Sequence, residues 1–328
     1  MRIDFHSHFW FEPYFEYLDE YGEKYGLRYE RDEQGRTFFY YRGFDFGPIG
    51  EPLLNPQSRL GKMDRAGLDA QVLTFGGPGI SFMDLDDGVA MARRINDYLA
   101  GVQRDYPGRL AGLASVPLRD VDAACEELTR AVKECALLGV GIFSNVNGVS
   151  LAEERFVPFF RRAAELDVPI FIHPNLPAAN PMMTRYHLGA LVGYMFETTL
   201  LFTTLVYNGL FEQLPTLKVV FPHLGGALPF LAERLNRGYH YAEVRNNLKA
   251  PPMESFRRAY VDTVSFYDPA MRCAHALFGA DHMVLGSDYP FGIGDLTGAM
   301  KSVGNLGLSE AEQQAILGGT AQKLLGLS

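Results

Sequence analysis

Arg2-Ile3-Asp4-Phe5-His6-Ser7-His8 stands at the start of the chain, and its reading decides the fold. The segment reads as a short strand. Side chains at i and i+2 of a strand share one face, so His6 and His8 project side by side from the strand's end. Two imidazoles so placed are close enough to share one metal ion, and a divalent metal held by imidazoles activates water or polarises an oxygen. A lone His-x-His is weak evidence; polar residues at later strand ends give it force. A doubly wound open sheet, the alternative architecture, favours an early glycine-rich phosphate loop. Here histidines take that place.

Working outward, short apolar runs alternate with helical patterns along the whole chain. Strands are predicted at Arg2–His6, Ala70–Phe75, Leu110–Val116, Gly139–Ser144, Pro169–His173, Lys218–His223, Tyr260–Val264 and Met283–Asp288. Amphipathic helices are predicted at Asp86–Tyr106, Asp120–Ala136, Val157–Glu165, Val192–Leu214, Ala227–Val244 and Pro269–Phe278, with a closing helix at Glu310–Leu325. This alternation is the pattern of an α/β fold, a (β/α)8 TIM barrel. The expectation is one barrel domain over residues 1–328 with an insertion after the first strand. That insertion, about residues 10–58, is rich in Tyr, Phe and Gly and far longer than an ordinary βα connection. A second long segment, Pro174–Leu191, follows the fifth strand. Both leave strand C-termini, which places them over the active-site end, and the aromatic content of the first suggests a lid or small subdomain.

Composition bounds the function. The chain has 328 residues, 47% hydrophobic and 21% charged, with a net charge of −9. No basic run or face is present, which argues against nucleic-acid binding. An acidic substrate stays open, because a pocket's local field can oppose the net charge. Cys125, Cys135 and Cys273 fit neither a zinc knuckle nor a disulfide framework and suit a reducing, cytoplasmic location. No apolar run of about 18 residues is read, so no membrane span is expected.

Barrel enzymes gather catalytic groups at strand C-termini. The first strand ends in His6 and His8, the fifth in His173, the sixth in His223 and the eighth in Asp288. Three imidazoles and a carboxylate suit one zinc-like or manganese-like ion with an open position. Only 8 histidines occur in the chain, and four fall at these ends, whereas core histidines would scatter. The plainer alternatives are helix caps, for His173 and His223, and an N-cap for Asp288. Asp4 shares the strand face of His6 and His8 but reads better as a polar group tied into the barrel interior. The fourth strand ends Phe143-Ser144-Asn145 without a lysine, which favours a mononuclear site.

Asp4-Phe-His6-Ser-His8, His173-Pro, Pro222-His223-x-Gly-Gly226 and Gly286-Ser-Asp288-Tyr-Pro290 together resemble the amidohydrolase superfamily. They are most similar to its branch related to aminocarboxymuconate-semialdehyde decarboxylase, as are Leu191-Val-Gly-x-x-x-Glu197-Thr-Thr199 and Phe211-Glu-x-x-Pro215. The resemblance implies that His6, His8 and His173 hold one divalent metal, usually zinc, with Asp288 as a further ligand or proton carrier. It implies an acid/base role for His223, outside the ligand set, and a homodimer. Two departures stand out: Ala190 precedes Leu191 where that branch carries a nearby tryptophan, and Arg42 is the candidate for its arginine of the first insertion.

The reading is a metal-dependent decarboxylase of an aromatic or unsaturated carboxylic acid, a small acidic substrate. Arg42, Arg185 and Arg245 are candidates to orient a carboxylate by a two-pronged contact, and Trp10 and Phe291 are candidates for the pocket wall. A hydrolase or hydratase acting on an ester, lactone, amide or C=C bond uses the same groups and is the alternative. A catalytically dead barrel serving as a binding protein would be expected to have lost a ligand, and none is missing.

Overall fold

A computed structural model describes residues 1–175 and 181–327. In chain order, β1 (Ile3–Phe9) is followed by three strands of the insertion, β2 (Arg28–Arg31), β3 (Thr37–Tyr41) and β4 (Phe44–Ile49). Next come β5 (Ala70–Phe75), β6 (Leu110–Gly112) and β7 (Val140–Phe143), then a small hairpin of β8 (Asn145–Val146) and β9 (Val149–Ser150). The last four are β10 (Ile170–His173), β11 (Val219–Phe221), β12 (Tyr260–Asp262) and β13 (Met283–Val284).

Two parallel arcs, β1-β5-β6 and β7-β10-β11-β12-β13, make the central sheet. They join at both edges. Ser7 bridges Tyr289 and Ala114 bridges Val140, each in parallel sense. The His8 amide donates to the Tyr289 carbonyl at 2.7 Å, and that of Ala114 to the Gly139 carbonyl at 2.9 Å. The sheet therefore closes on itself as an eight-stranded parallel barrel, which leaves no open edge. Its strands are near-continuous apolar runs, such as Ile170-Phe-Ile and Val219-Val-Phe, because both faces are buried.

All eight expected barrel strands are present, with altered bounds. Leu110–Val116 and Met283–Asp288 shorten to β6 and β13, beyond which pairing continues only as single bridges at Ala114 and Tyr289. The first strand instead extends to Phe9, so His6 and His8 lie within it, His6 inside a register shift between Asp4 and Ser7 and His8 beyond it.

The helix over Val157–Glu165 matches expectation, while Val192–Leu214 is broken. It runs as a π turn at Gly189–Gly193, a helix at Tyr194–Tyr207 and a short turn at Leu210–Gln213. The break falls at Gly209, whose φ of +71° is left-handed and open to glycine at little cost. One expectation needs correction: Gly189–Tyr207 is, at 19 residues and mean hydropathy 1.4, long and apolar enough to cross a membrane. One face of it, however, packs into the protein, with Phe202 stacked on Phe221 at 4.0 Å and edge-on to Phe256. The other face exposes Phe196 (51%) and Leu200 (66%).

The insertion has its own order: a helix at Glu12–Tyr21, then β2, β3 and β4 as an antiparallel sheet. Trp10, Tyr14 and Phe39 are wholly buried in the same apolar core that underlies the barrel helices. Phe39 stacks on Phe46 at 5.0 Å and meets Trp10 at 5.2 Å.

Candidate metal centre

The barrel mouth brings five of the named residues together. His6 and His8 come from β1, His173 ends β10, His223 follows β11, and Asp288 follows β13. All five are buried. His6, His8, His173 and Asp288 each offer one ligand atom, and these four atoms lie within 4.8 Å of one another. The Nε2 atoms of His6 and His8 are 2.9 Å apart, and Asp288 Oδ1 is 3.4 Å from the first and 3.1 Å from the second. Donors about 2.1 Å from a tetrahedral ion stand roughly 3.4 Å from each other. Three such spacings among buried lone pairs fit one divalent ion. The ring of His223 stands beside this group, 5.3 Å from His6 and 5.6 Å from His173 between centroids.

Backbone geometry turns two of these side chains inward. His223 and Asp288 have φ of +55° and +58°, a left-handed conformation that costs a non-glycine residue about 1–3 kcal/mol and concentrates at functional sites. The glycines after His223 permit the turn. At Gly226, with φ +71°, a side chain would collide with the Met195 carbonyl and sit 2.6 Å from Thr199 Oγ1.

Partners behind the rings fix which nitrogen faces the centre. His173 Nδ1 lies 2.8 Å from the Pro174 carbonyl oxygen, an acceptor only, so Nδ1 carries the proton and Nε2 is left for a metal. His6 Nδ1 lies 2.5 Å from Asp262 Oδ2. Sequence reading assigned Asp262 nothing, although a carboxylate inside the apolar run Tyr260–Val264 was the available signal. Tyr194, 5.8 Å from His173, was likewise missed. Glu197 was quoted only within a motif; it accepts from Ser144 Oγ at 2.8 Å and Asn145 Nδ2 at 2.7 Å.

Beneath the centre, Asp4 accepts from Ser287 Oγ at 2.5 Å, Gln71 Nε2 at 2.8 Å and the Ser287 amide at 3.0 Å. Burial raises its carboxyl to about 6 against those hydrogen bonds. Buried Arg59 donates to the His8 carbonyl and, at 3.3 Å, to Gln71 Oε1. Asp4 and Arg59 therefore tie β1 to the neighbouring strand and to the Ser287 turn, behind the histidines.

The electrostatics favour a cation. Burial opposes a charge on His6, yet Asp262 and then Asp288 outweigh it and hold its imidazolium up at about 10. Burial alone would raise Asp288, but hydrogen bonds from His6 and His8 keep it well below the usual carboxylate range. Burial, with the charge on His6, pushes His223 down to about 4.

The wall candidates lie nearby. Phe291 is 5.0 Å from the His8 ring and 5.7 Å from Trp10, while Phe143 is 6.0 Å from His173. Arg42 and Arg185 are exposed, their guanidiniums over the rings of Tyr41 and Tyr186. They stand outside the buried centre, where the two long segments touch: Asp45 meets His187 at 3.3 Å. Arg245 is exposed and donates to the His240 carbonyl at 3.0 Å. Within the segment after β10, residues 176–180 lie outside the described residues.

A family model described as Amidohydrolase matches residues 3–327. A 2-amino-3-carboxymuconate-6-semialdehyde decarboxylase of Dictyostelium discoideum is 30% identical over 336 residues, covering 100% of this chain and 92% of the relative. A gamma-resorcylate decarboxylase of Polaromonas is 30% identical over 304 residues, covering 87% and 91%. Among solved structures, a 5-carboxyvanillate decarboxylase of Novosphingobium aromaticivorans, complexed with manganese and 4-hydroxy-3-methoxy-5-nitrobenzoic acid, has a TM-score of 0.87 at 25% identity. It is covered to 96%, and this chain to 100%.

Proposed function

The chain belongs to the amidohydrolase family, and from that premise we propose that it is a metal-dependent decarboxylase of an aromatic or unsaturated carboxylic acid. The observation that carries the proposal is the convergence of His6, His8, His173 and Asp288 on one point, with His223 beside them and not among them. The decarboxylases among its relatives support the reaction class.

In this reading His6, His8, His173 and Asp288 hold one divalent ion, zinc by its donor set, with manganese the ion in the neighbouring structure. When bound, the ion supplies positive charge that fixes and polarises the oxygens of an acid. His223 handles the proton. In decarboxylation the bond to the carboxylate breaks, carbon dioxide leaves, and the electron pair remaining on carbon takes up a proton; a neutral imidazole at the mouth can accept that proton from substrate or water and return it to carbon. Asp288 is the second group able to move it. Trp10, Phe291 and Phe143 form an apolar wall that excludes water, and the insertion over residues 10–58 acts as the cover. Arg42 and Arg185 meet the incoming acid at the rim, where positive charge speeds encounter.

The same proposal includes a homodimer in the cytoplasm. Supporting the first are exposed Phe196, Leu200 and Phe230, the last 87% exposed. Supporting the second are three free cysteines, which a reducing compartment preserves. The test is a screen of hydroxylated benzoates and unsaturated dicarboxylates for carbon dioxide release, beside a panel of esters, lactones and alkenes. Release from at least one acid by the metal-loaded protein is expected. Turnover confined to the second panel would replace this reading with hydrolysis or hydration.

A further inference from the structure

Asp262 has no exposed surface and spends both carboxylate oxygens on the centre. Its Oδ2 lies 2.5 Å from His6 Nδ1. Its Oδ1 accepts from the backbone amide of His223 at 2.7 Å and from that of Val264 at 2.9 Å. We propose that Asp262 is a positioning residue which fixes the His6 ring proton on Nδ1 and pins the His223 turn over the same centre. One carboxylate thereby sets the orientation of a metal ligand and of the proton carrier together. The inference rests on the metal-centre reading above.

The argument is one of donors and acceptors. A carboxylate only accepts, so His6 must donate from Nδ1, and Nε2 is the nitrogen that faces His8 and Asp288, open to a metal once its own proton is displaced. The two backbone amides on Oδ1 belong to β12's end and to the turn after β11, and both are fixed by the barrel. His223 holds a left-handed backbone, and the bond from its own amide to Asp262 is the described contact that ties this turn to the neighbouring strand's carboxylate.

Asp262→Asn separates this role from bulk. The backbone amides still demand an oxygen at the Oδ1 position, so the new NH2 group must face His6. It offers a donor where Nδ1 had an acceptor. The imidazole then moves its proton to Nε2, where it blocks the lone pair that would bind metal. Loss of such an orienting partner typically lowers metal affinity about 10–100-fold.

The experiment compares wild type and Asp262→Asn, stripped with chelator and titrated with Mn2+ alone, with circular dichroism to verify folding. Alongside, nitrogen-15 spectra of the histidine rings are recorded for the metal-free and Zn2+-loaded proteins. The expected result is a 10–100-fold weaker Mn2+ affinity in a folded variant, with a proton on His6 Nδ1 in wild type and none there in the variant. Equal Mn2+ affinity in a folded variant overturns the proposal. If the variant does not fold, the wild-type spectrum decides: a bare His6 Nδ1 overturns the proposal, a protonated one supports it. Absence of Mn2+ binding by wild type would instead overturn the metal-centre reading, and the ring spectrum would still decide the role of Asp262.

Discussion

The Nε2 atoms of His6 and His8 face each other across 2.9 Å at the buried mouth of the barrel. Two nitrogens at that distance cannot both carry a proton between them, so a single proton or a metal lies between them. Asp288 Oδ1, within 3.4 Å of both, supplies the opposing charge.

Replacing both histidines follows directly. His6→Ala with His8→Ala removes half of the four-atom donor set and should abolish metal binding and turnover together. Elemental analysis of stripped and reloaded protein should give about one divalent ion per wild-type chain and none in the double variant. Two tightly held ions per chain would contradict a mononuclear site.

Metal uptake should depend on pH with a definite sign. Asp262 and Asp288 hold His6 protonated, up to about 10, against the penalty of burial. A metal must displace that proton, so affinity rises with pH across the neutral range and falls as acid is added. Titrations with Mn2+ between roughly pH 6 and pH 8 should show this rise and, in weak buffer, release of protons. A flat affinity would mean that His6 is not displaced.

Much of this was legible in the sequence. His6, His8, His173, His223 and Asp288 sit at the ends of apolar runs, and a barrel sends such ends to one mouth, so their convergence could be read before the fold. Asp262 was not, because its work lies behind a ligand, and one carboxylate in a strand gives no sign of which ring it will meet. The break at Gly209 was hidden by the apolar sequence on either side, which continues without change of pattern. Arg42 and Arg185 were sought as anchors because a carboxylate needs a cation. Their exposed positions depend on how two long segments fold over the mouth, which no local pattern encodes.

The Gly-Gly of Pro222-His223-Leu-Gly225-Gly226 has a steric reason. Gly226→Ala would force a left-handed alanine into the Met195 carbonyl. A loss of on the order of 1–3 kcal/mol is expected, with reduced turnover as the His223 turn shifts. Denaturant midpoints and activity of the variant check both. Unchanged stability would show that the turn tolerates a side chain.

Phe39→Ala tests whether the insertion and barrel share a core. Phe39 is fully buried between Phe46 and Trp10. Its truncation should cost about 3–5 kcal/mol and shift a single unfolding transition. A separate early transition that leaves the barrel folded would show the insertion to be an independent unit.

The most direct test of the account is the metal-to-chain ratio of His173→Ala and His223→Ala, prepared side by side. The geometry places His173 among the four converging donors and His223 beside them. His223→Ala should keep close to one ion per chain while its turnover falls about 10²–10⁴-fold, the usual worth of a positioned proton carrier. His173→Ala should lose the ion. A His223→Ala protein empty of metal, next to a His173→Ala protein that retains it, would reverse the two assignments and contradict the mechanism built on them.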